Sequence, residues 1–119
     1  MDTVVKSKSK IEVEVGLNEG KIPVAINLKS LQTGQKAQKE ECKAMLLSFF
    51  ERENKETLKI DLWTHDMQVM EMDRFFYQTL RGMADTYFKA TQNQELAVQM
   101  QQFVQYFGEK TGIITTQEE

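Results

Sequence analysis

The sequence is poor in the residues that do chemistry: its 119 residues hold one histidine, one cysteine, one proline and one tryptophan. A single cysteine, Cys42, excludes an internal disulfide and a cysteine-based zinc site. His65 is the one ordinary candidate for acid–base work at neutral pH. Asp66 follows it, but neighbours in an extended chain point apart, and the serines lie only at positions 7, 9, 30 and 48. A Ser-His-Asp or Cys-His arrangement therefore has little support. The glycines form neither G-x-x-x-x-G-K nor G-x-G-x-x-G, so no phosphate cradle is written into the chain. Asp61, Asp66 and Asp73 lack the spacing of a calcium loop and read instead as strand-end and helix-start charges, the latter near a positive dipole end.

Other absences bound the partners. No apolar run approaches the roughly 20 residues that cross a bilayer. The first ten residues have no apolar core of the kind an export signal carries, so a cytoplasmic location is expected. The net charge of −3 leaves no broad positive field for a phosphate backbone. Lys6, Lys8 and Lys10 are too few and too spaced to make an arm, and read as a solvated lead-in. The expectation is a chain without catalytic residues, cofactor, metal, nucleic acid or membrane insertion.

What the sequence does contain is a foldable pattern. A hydrophobic fraction of 40% with 28% charge is that of a globular protein, and the length suits one domain. We expect residues 1–119 to be that domain, ordered over about 9–112. Ile11, Val13 and Val15 alternate with Lys10, Glu12 and Glu14, as a half-buried strand requires. GLNEGK (16–21) has turn chemistry, and Val24, Ile26 and Leu28 alternate again behind Pro23, which predicts a β-hairpin. The polar run 30–36, with Gly34, reads as a loop. Cys42, Met45, Leu46, Phe49 and Phe50 fall at i, i+3, i+4, i+7 and i+8, so the spacing predicts a helix over about 37–53 that stops at Asn54. On that helix Cys42 would be a small buried hydrophobe beside Met45 and Phe49. Leu58, Ile60 and Leu62 against Lys59, Asp61 and Trp63 predict a third strand.

From Val69 to Ala90 the period is helical. Val69, Met72, Phe76, Leu80, Met83 and Tyr87 form one stripe, and Met70, Tyr77, Ala84 and Phe88 a second beside it. Together they span roughly 160°, enough to pack against two neighbours, which makes this the central helix. Thr91 with Gln94 resembles a capping box, and Leu96, Met100, Phe103 and Phe107 line a last helix ended by Gly108 or Gly112, with a frayed tail over 115–119. The predicted fold is α+β: a three-stranded, mainly antiparallel sheet in the order β-β-α-β-α-α, covered by helices.

Two features point to interaction rather than catalysis. Trp63 lies on the polar side of its strand, either covered by the chain's own helix or presented to a partner as an anchor. The seven methionines include Met67, Met70 and Met72 where the long helix begins, where flexible thioethers suit an adaptable surface as well as a core. Phe75 falls outside the main stripe, consistent with an extra contact, including one with a second copy of the chain. Spare apolar surface on the long helix leaves room for a homodimer. The candidate partner-binding residues are thus Trp63, His65, Asp66, Met67, Met70 and Phe75.

At ETLKIDLWTHDM (56–67), MDRFFYQTL (72–80) and MADT (83–86) the chain resembles the gliding-motility-associated GldC family. AMLLS (44–48) and QYFGEK (105–110) match more loosely, and the likeness runs from about Ile11 to Lys110. Two positions depart from the pattern: Gln68 stands where a proline is expected, and Tyr77 where relatives can carry a histidine. The resemblance implies a small soluble protein of gliding bacteria of the Bacteroidetes group, associated with surface motility and without an assigned activity or cofactor. It supplies no functional residues to carry over. The expected partner is a protein component of the motility or secretion machinery. The expected role is a cytoplasmic accessory protein, with a holdase-like assembly chaperone for a secreted or membrane client as the rival.

Overall fold

The computed structural model describes residues 2–32 and 38–115. The elements run β1 (Ser9–Leu17), β2 (Pro23–Gln32), β3 (Gln38–Cys42), β4 (Ala44–Phe50), β5 (Thr57–Trp63), α1 (Val69–Thr91) and α2 (Gln94–Lys110). The chain is α+β, as its patterning indicated, and divides into two compact units, Met1–Met67 and Gln68–Glu119. All strands lie in the first unit and both helices in the second.

The β1–β2 hairpin forms as expected. Its antiparallel register sets Val13 opposite Leu28 and Val15 opposite Ile26, so the apolar faces coincide. Asn18 shapes the turn: its side-chain carbonyl accepts from the Ile22 N–H at 3.1 Å, while its backbone O accepts from the Lys21 N–H at 2.9 Å. Lys21 takes a positive φ of 60° there. On the wet side Lys10 pairs with Glu12 at 3.0 Å, and that bond, with the charges of Lys10 and Lys29, holds the Glu12 carboxyl below its usual range. Ile26, 2% exposed, is the centre of this unit's core, flanked across the strands by Val15 and Cys42.

The helix expected over 37–53 does not form. Its place is taken by β3, which pairs with β2, and by β4, which pairs with β5, so the sheets are β1-β2-β3 and β4-β5, both antiparallel. The expected order β-β-α-β-α-α and its single three-stranded sheet are corrected to five strands followed by two helices. The reason lies in the composition. In AMLLSFF nearly every side chain is apolar, so a helical template and a two-sided strand fit equally well. QKEEC carries helix-favouring residues, yet cross-strand pairing with β2 overrides propensity. Cys42 accordingly sits on β3, half-buried opposite Ile26, and not on a helix face. The turn between β4 and β5 is drawn in by Glu51, whose carboxylate accepts from the N–H groups of Glu53 and Asn54; those two bonds keep its pKa below the ordinary value. The loop read over 30–36 is strand at its start, where β2 runs on to Gln32, and the rest of it, with Gly34, lies outside the described residues, as does the tail beyond 115.

In the second unit the two helices match their patterns, with different ends. The Glu71 carboxylate accepts from the Gln68 N–H at 3.0 Å, fixing the start of α1 without a proline. Thr91 is not the cap of α2 but the last residue of α1, its hydroxyl donating back to the Tyr87 carbonyl at 2.8 Å. Gln92 turns the chain with φ 59°, and Asn93 caps α2 by accepting from the Leu96 N–H at 3.2 Å. Ala84 from α1 and Ala97 and Val104 from α2 are the buried contacts. Small residues there let the helix axes approach. The wide apolar stripe of α1 is only partly used by α2, since Phe76 and Met83 stay exposed, as do Leu96 and Phe103. Gly82, inside α1, has open space where a Cβ would be. Gly82→Ala is therefore expected to stabilise the chain by about 0.5–1 kcal/mol through helix propensity alone, read as a higher urea midpoint; a lower midpoint would mean that this open face is covered.

Candidate functional site

The stretch 63–67 is where the two sheets of the first unit are tied together. Pairing of β5 with β4 ends with Trp63 opposite Ala44. The Thr64 N–H extends the ladder one step, donating to the Lys43 carbonyl at 2.7 Å. His65 then turns to the other sheet, its N–H donating to the carbonyl of Pro23, the first residue of β2, at 3.1 Å. The Met67 N–H closes back on the Thr64 carbonyl at 3.1 Å. Proline is tolerated at the head of β2 because only its carbonyl is needed.

Thr64 is 2% exposed, the one buried polar side chain among the described residues. Its hydroxyl lies 2.5 Å from Asp66 Oδ1 and 3.2 Å from the Lys43 carbonyl. One hydroxyl hydrogen serves one acceptor well, and the shorter distance and the ionised carboxylate assign it to Asp66. That bond is the main reason the Asp66 carboxyl sits below the ordinary carboxylate range; desolvation opposes it, and Lys43 and His65 add attraction. Beside the junction Ile26, Cys42, Lys43, Thr64 and Asp66 line a groove of about 380 Å³.

Trp63 shares its side of β5 with Lys59 and Asp61, as the alternation indicated. Those two pair at 3.6 Å, and Lys59 Nζ also donates to Ser48 Oγ at 3.1 Å. The indole is 56% exposed, so it is not fully covered by the chain. His65 and Asp66 are exposed beside it in sequence and Met67 is half-buried. The other two candidates belong to the second unit. Met70 is exposed on the first turn of α1, and Phe75 is half-buried with its ring edge-on to Phe76, centroids 6.3 Å apart. Four of the six candidates therefore fall within one five-residue junction, and two are not part of it.

A family model of gliding motility-associated GldC-like proteins matches residues 23–113, from the first residue of β2 to just past α2. The chain belongs to the GldC-like family. No curated protein and no solved structure matches it. The GldC-like span takes in β5, the junction and both helices and leaves β1 outside. The family's description ties it to gliding motility and to no catalysed reaction.

Among the described residues, no three His, Cys, Asp or Glu side chains gather to hold a metal ion. No helix among them is long and apolar enough to cross a membrane. The groove between α1 and α2, about 810 Å³, is lined by Tyr77, Gln78, Arg81, Gln101 and Gln105 among others.

Sequence reasoning missed Thr64 and Lys43, which organise the junction. The local signal was present: a threonine two residues before an aspartate can satisfy it side chain to side chain. The role of the Lys43 carbonyl was not legible, because it depends on β4 being a strand.

Proposed function

We propose that the chain is a non-enzymatic accessory protein of gliding motility that works in the cytoplasm by holding a protein partner at the β5 exit. Trp63 is the apolar anchor, and His65, Asp66 and Met67 are its rim. The observation that carries this reading is the half-open indole beside a junction whose backbone is fixed on both sides. A rigid frame lowers the ordering cost of binding. The partner is a component of the motility or secretion machinery. Trp63→Ala removes an anchor that is more than half exposed, so the far-ultraviolet spectrum should hold while capture of a motility component from the native cell falls at least tenfold. Unchanged capture by a folded variant sinks this surface.

A second reading, a holdase for a secreted or membrane client, is supported by the exposed Phe76, Met83, Leu96 and Phe103 on the helical unit. It differs in what it binds: several unfolded clients weakly, where an adaptor holds one folded partner. Suppression of aggregation of an unrelated unfolded protein by the wild type, undiminished in Trp63→Ala, would favour it.

A further inference from the structure

The outer edge of β5 carries a self-complementary sequence. The bonds from Thr64 N–H to the Lys43 carbonyl and from Glu51 N–H to the Glu56 carbonyl set the phase of the β4–β5 ladder. Antiparallel alternation then directs the backbone groups of Leu58, Ile60 and Leu62 toward β4 and those of Thr57, Lys59, Asp61 and Trp63 outward. Among the described residues no strand pairs with that outward edge over Thr57–Trp63, and β2 meets it only just beyond, where the His65 N–H donates to the Pro23 carbonyl. Its register with β4 has no bulge, and it contains no proline, so two of the usual defences of an edge are missing. The third defence, charge, is present as Lys59 and Asp61. These two are placed symmetrically about Ile60 and have opposite sign.

We propose that β5 pairs antiparallel with β5 of a second copy of the chain about a two-fold axis through Ile60. In that register Lys59 of each chain lies opposite Asp61 of the other, Leu58 opposite Leu62, and Ile60 opposite Ile60. The outward N–H and C=O groups of Lys59 and Asp61 are those that meet, so the hydrogen-bonding phase and the charge pattern agree on one register. A shift by one residue to either side breaks both the apolar and the charge match. Pairing turns the two-stranded β4–β5 sheet, a size that is marginal by itself, into a four-stranded one. Its apolar face then runs continuously from Phe49, Leu58 and Ile60 of one copy to those of the other; in the single chain these are 57%, 57% and 51% exposed. The occupant is a second copy because the edge complements itself; a foreign strand would have to supply the same alternation of Asp, Ile and Lys. In this register Thr57 of the second copy lies opposite Trp63, so the pairing shares that residue with the partner surface proposed above, but its test below reads mass and charge and does not depend on partner capture.

The test is a charge swap read by mass. The wild type should sediment at twice the 13.9 kDa chain mass. Lys59→Asp and Asp61→Lys each set like charges opposite at two positions, and each should dimerise about thirtyfold more weakly. Mixed in equal amounts, the two variants should form a heterodimer with wild-type affinity, since each aspartate of one strand then meets a lysine of the other. Restoring an ion pair within one chain cannot explain that recovery, because each variant keeps two like charges on its own strand. A monomeric wild type, variants that dimerise undiminished, or a mixture that stays monomeric overturns the pairing. Hydrogen exchange on the wild type gives an answer that needs no folded variant. The Lys59 and Asp61 amides, outward in the single chain, should slow as concentration rises, and fast exchange at all concentrations also overturns it.

Discussion

Gly108→Val is expected to lower the melting point by roughly 10 °C, a loss of about 2 kcal/mol, without changing the strand unit. Gly108 sits on the buried side of α2, where helix and tail cross. The Thr111 N–H bonds the Phe107 carbonyl at 3.0 Å, Gly112 reverses the chain at φ 79°, and the Ile114 N–H returns to the Gly108 carbonyl at 3.0 Å. Ile114 is thereby laid over Gly108 from one side while Tyr77 of α1 closes it from another. A Cβ at position 108 would stand 2.5 Å from Ile114 Cδ1 and 2.7 Å from Tyr77 Cε1, far inside van der Waals contact. Ile114 can swing away, but only by giving up the tail's packing. The Tyr77 ring is carried on α1, so relieving it means parting the helices near Ala84 and Val104. The few tenths of a kcal/mol that valine gains over glycine in helix propensity do not offset this. Urea unfolding followed by helix signal measures the effect, and a variant as stable as the wild type would show that the tail does not rest there.

Tyr77 gains a meaning here that its sequence context did not give it. Its ring lies against the glycine of the opposing helix, which is a packing role. Both helices were legible because their apolar residues recur with a period strands cannot imitate over so many turns. Their ends were less so: Thr91 and Asn93 are both good caps, and the choice between them depends on where Gln92 bends. The β1–β2 hairpin was legible for the complementary reason, an alternation of period two on both sides of a turn. The stretch 38–50 was not, and the failure has one cause. β4 is apolar on both faces and β3 is polar on nearly all, so neither shows an alternation, and only pairing with β2 and β5 makes them strands. Misreading them also hid the edge of β5, because an edge exists only relative to the strand on its other side.

The same dependence governs the candidate site. Trp63, His65, Asp66 and Met67 stood out as residue types, and the structure places them at one junction. Thr64, at their centre, looked ordinary because its backbone tie is to Lys43, which is remote in sequence, while its hydroxyl serves the nearby Asp66. Thr64→Val tests that account. The replacement has nearly the same shape, and position 64 keeps its N–H for the Lys43 carbonyl, so the lost element is the hydroxyl. For a side chain only 2% exposed, losing that hydrogen bond should cost about 1–2 kcal/mol at neutral pH. The pH dependence follows from the direction of the Asp66 shift. Its folded pKa is lowered from the ordinary 3.8, chiefly by the Thr64 hydroxyl. The stabilisation is therefore complete above that ordinary value and is lost as pH falls through the lower folded one, when the carboxylate gains a proton. Wild type and Thr64→Val should accordingly differ most at neutral pH and converge in acid, as read from urea midpoints across the carboxylate range. A gap that stays constant down that range would mean that the hydroxyl serves the Lys43 carbonyl, which does not titrate, and that Asp66 is free to turn toward a partner instead.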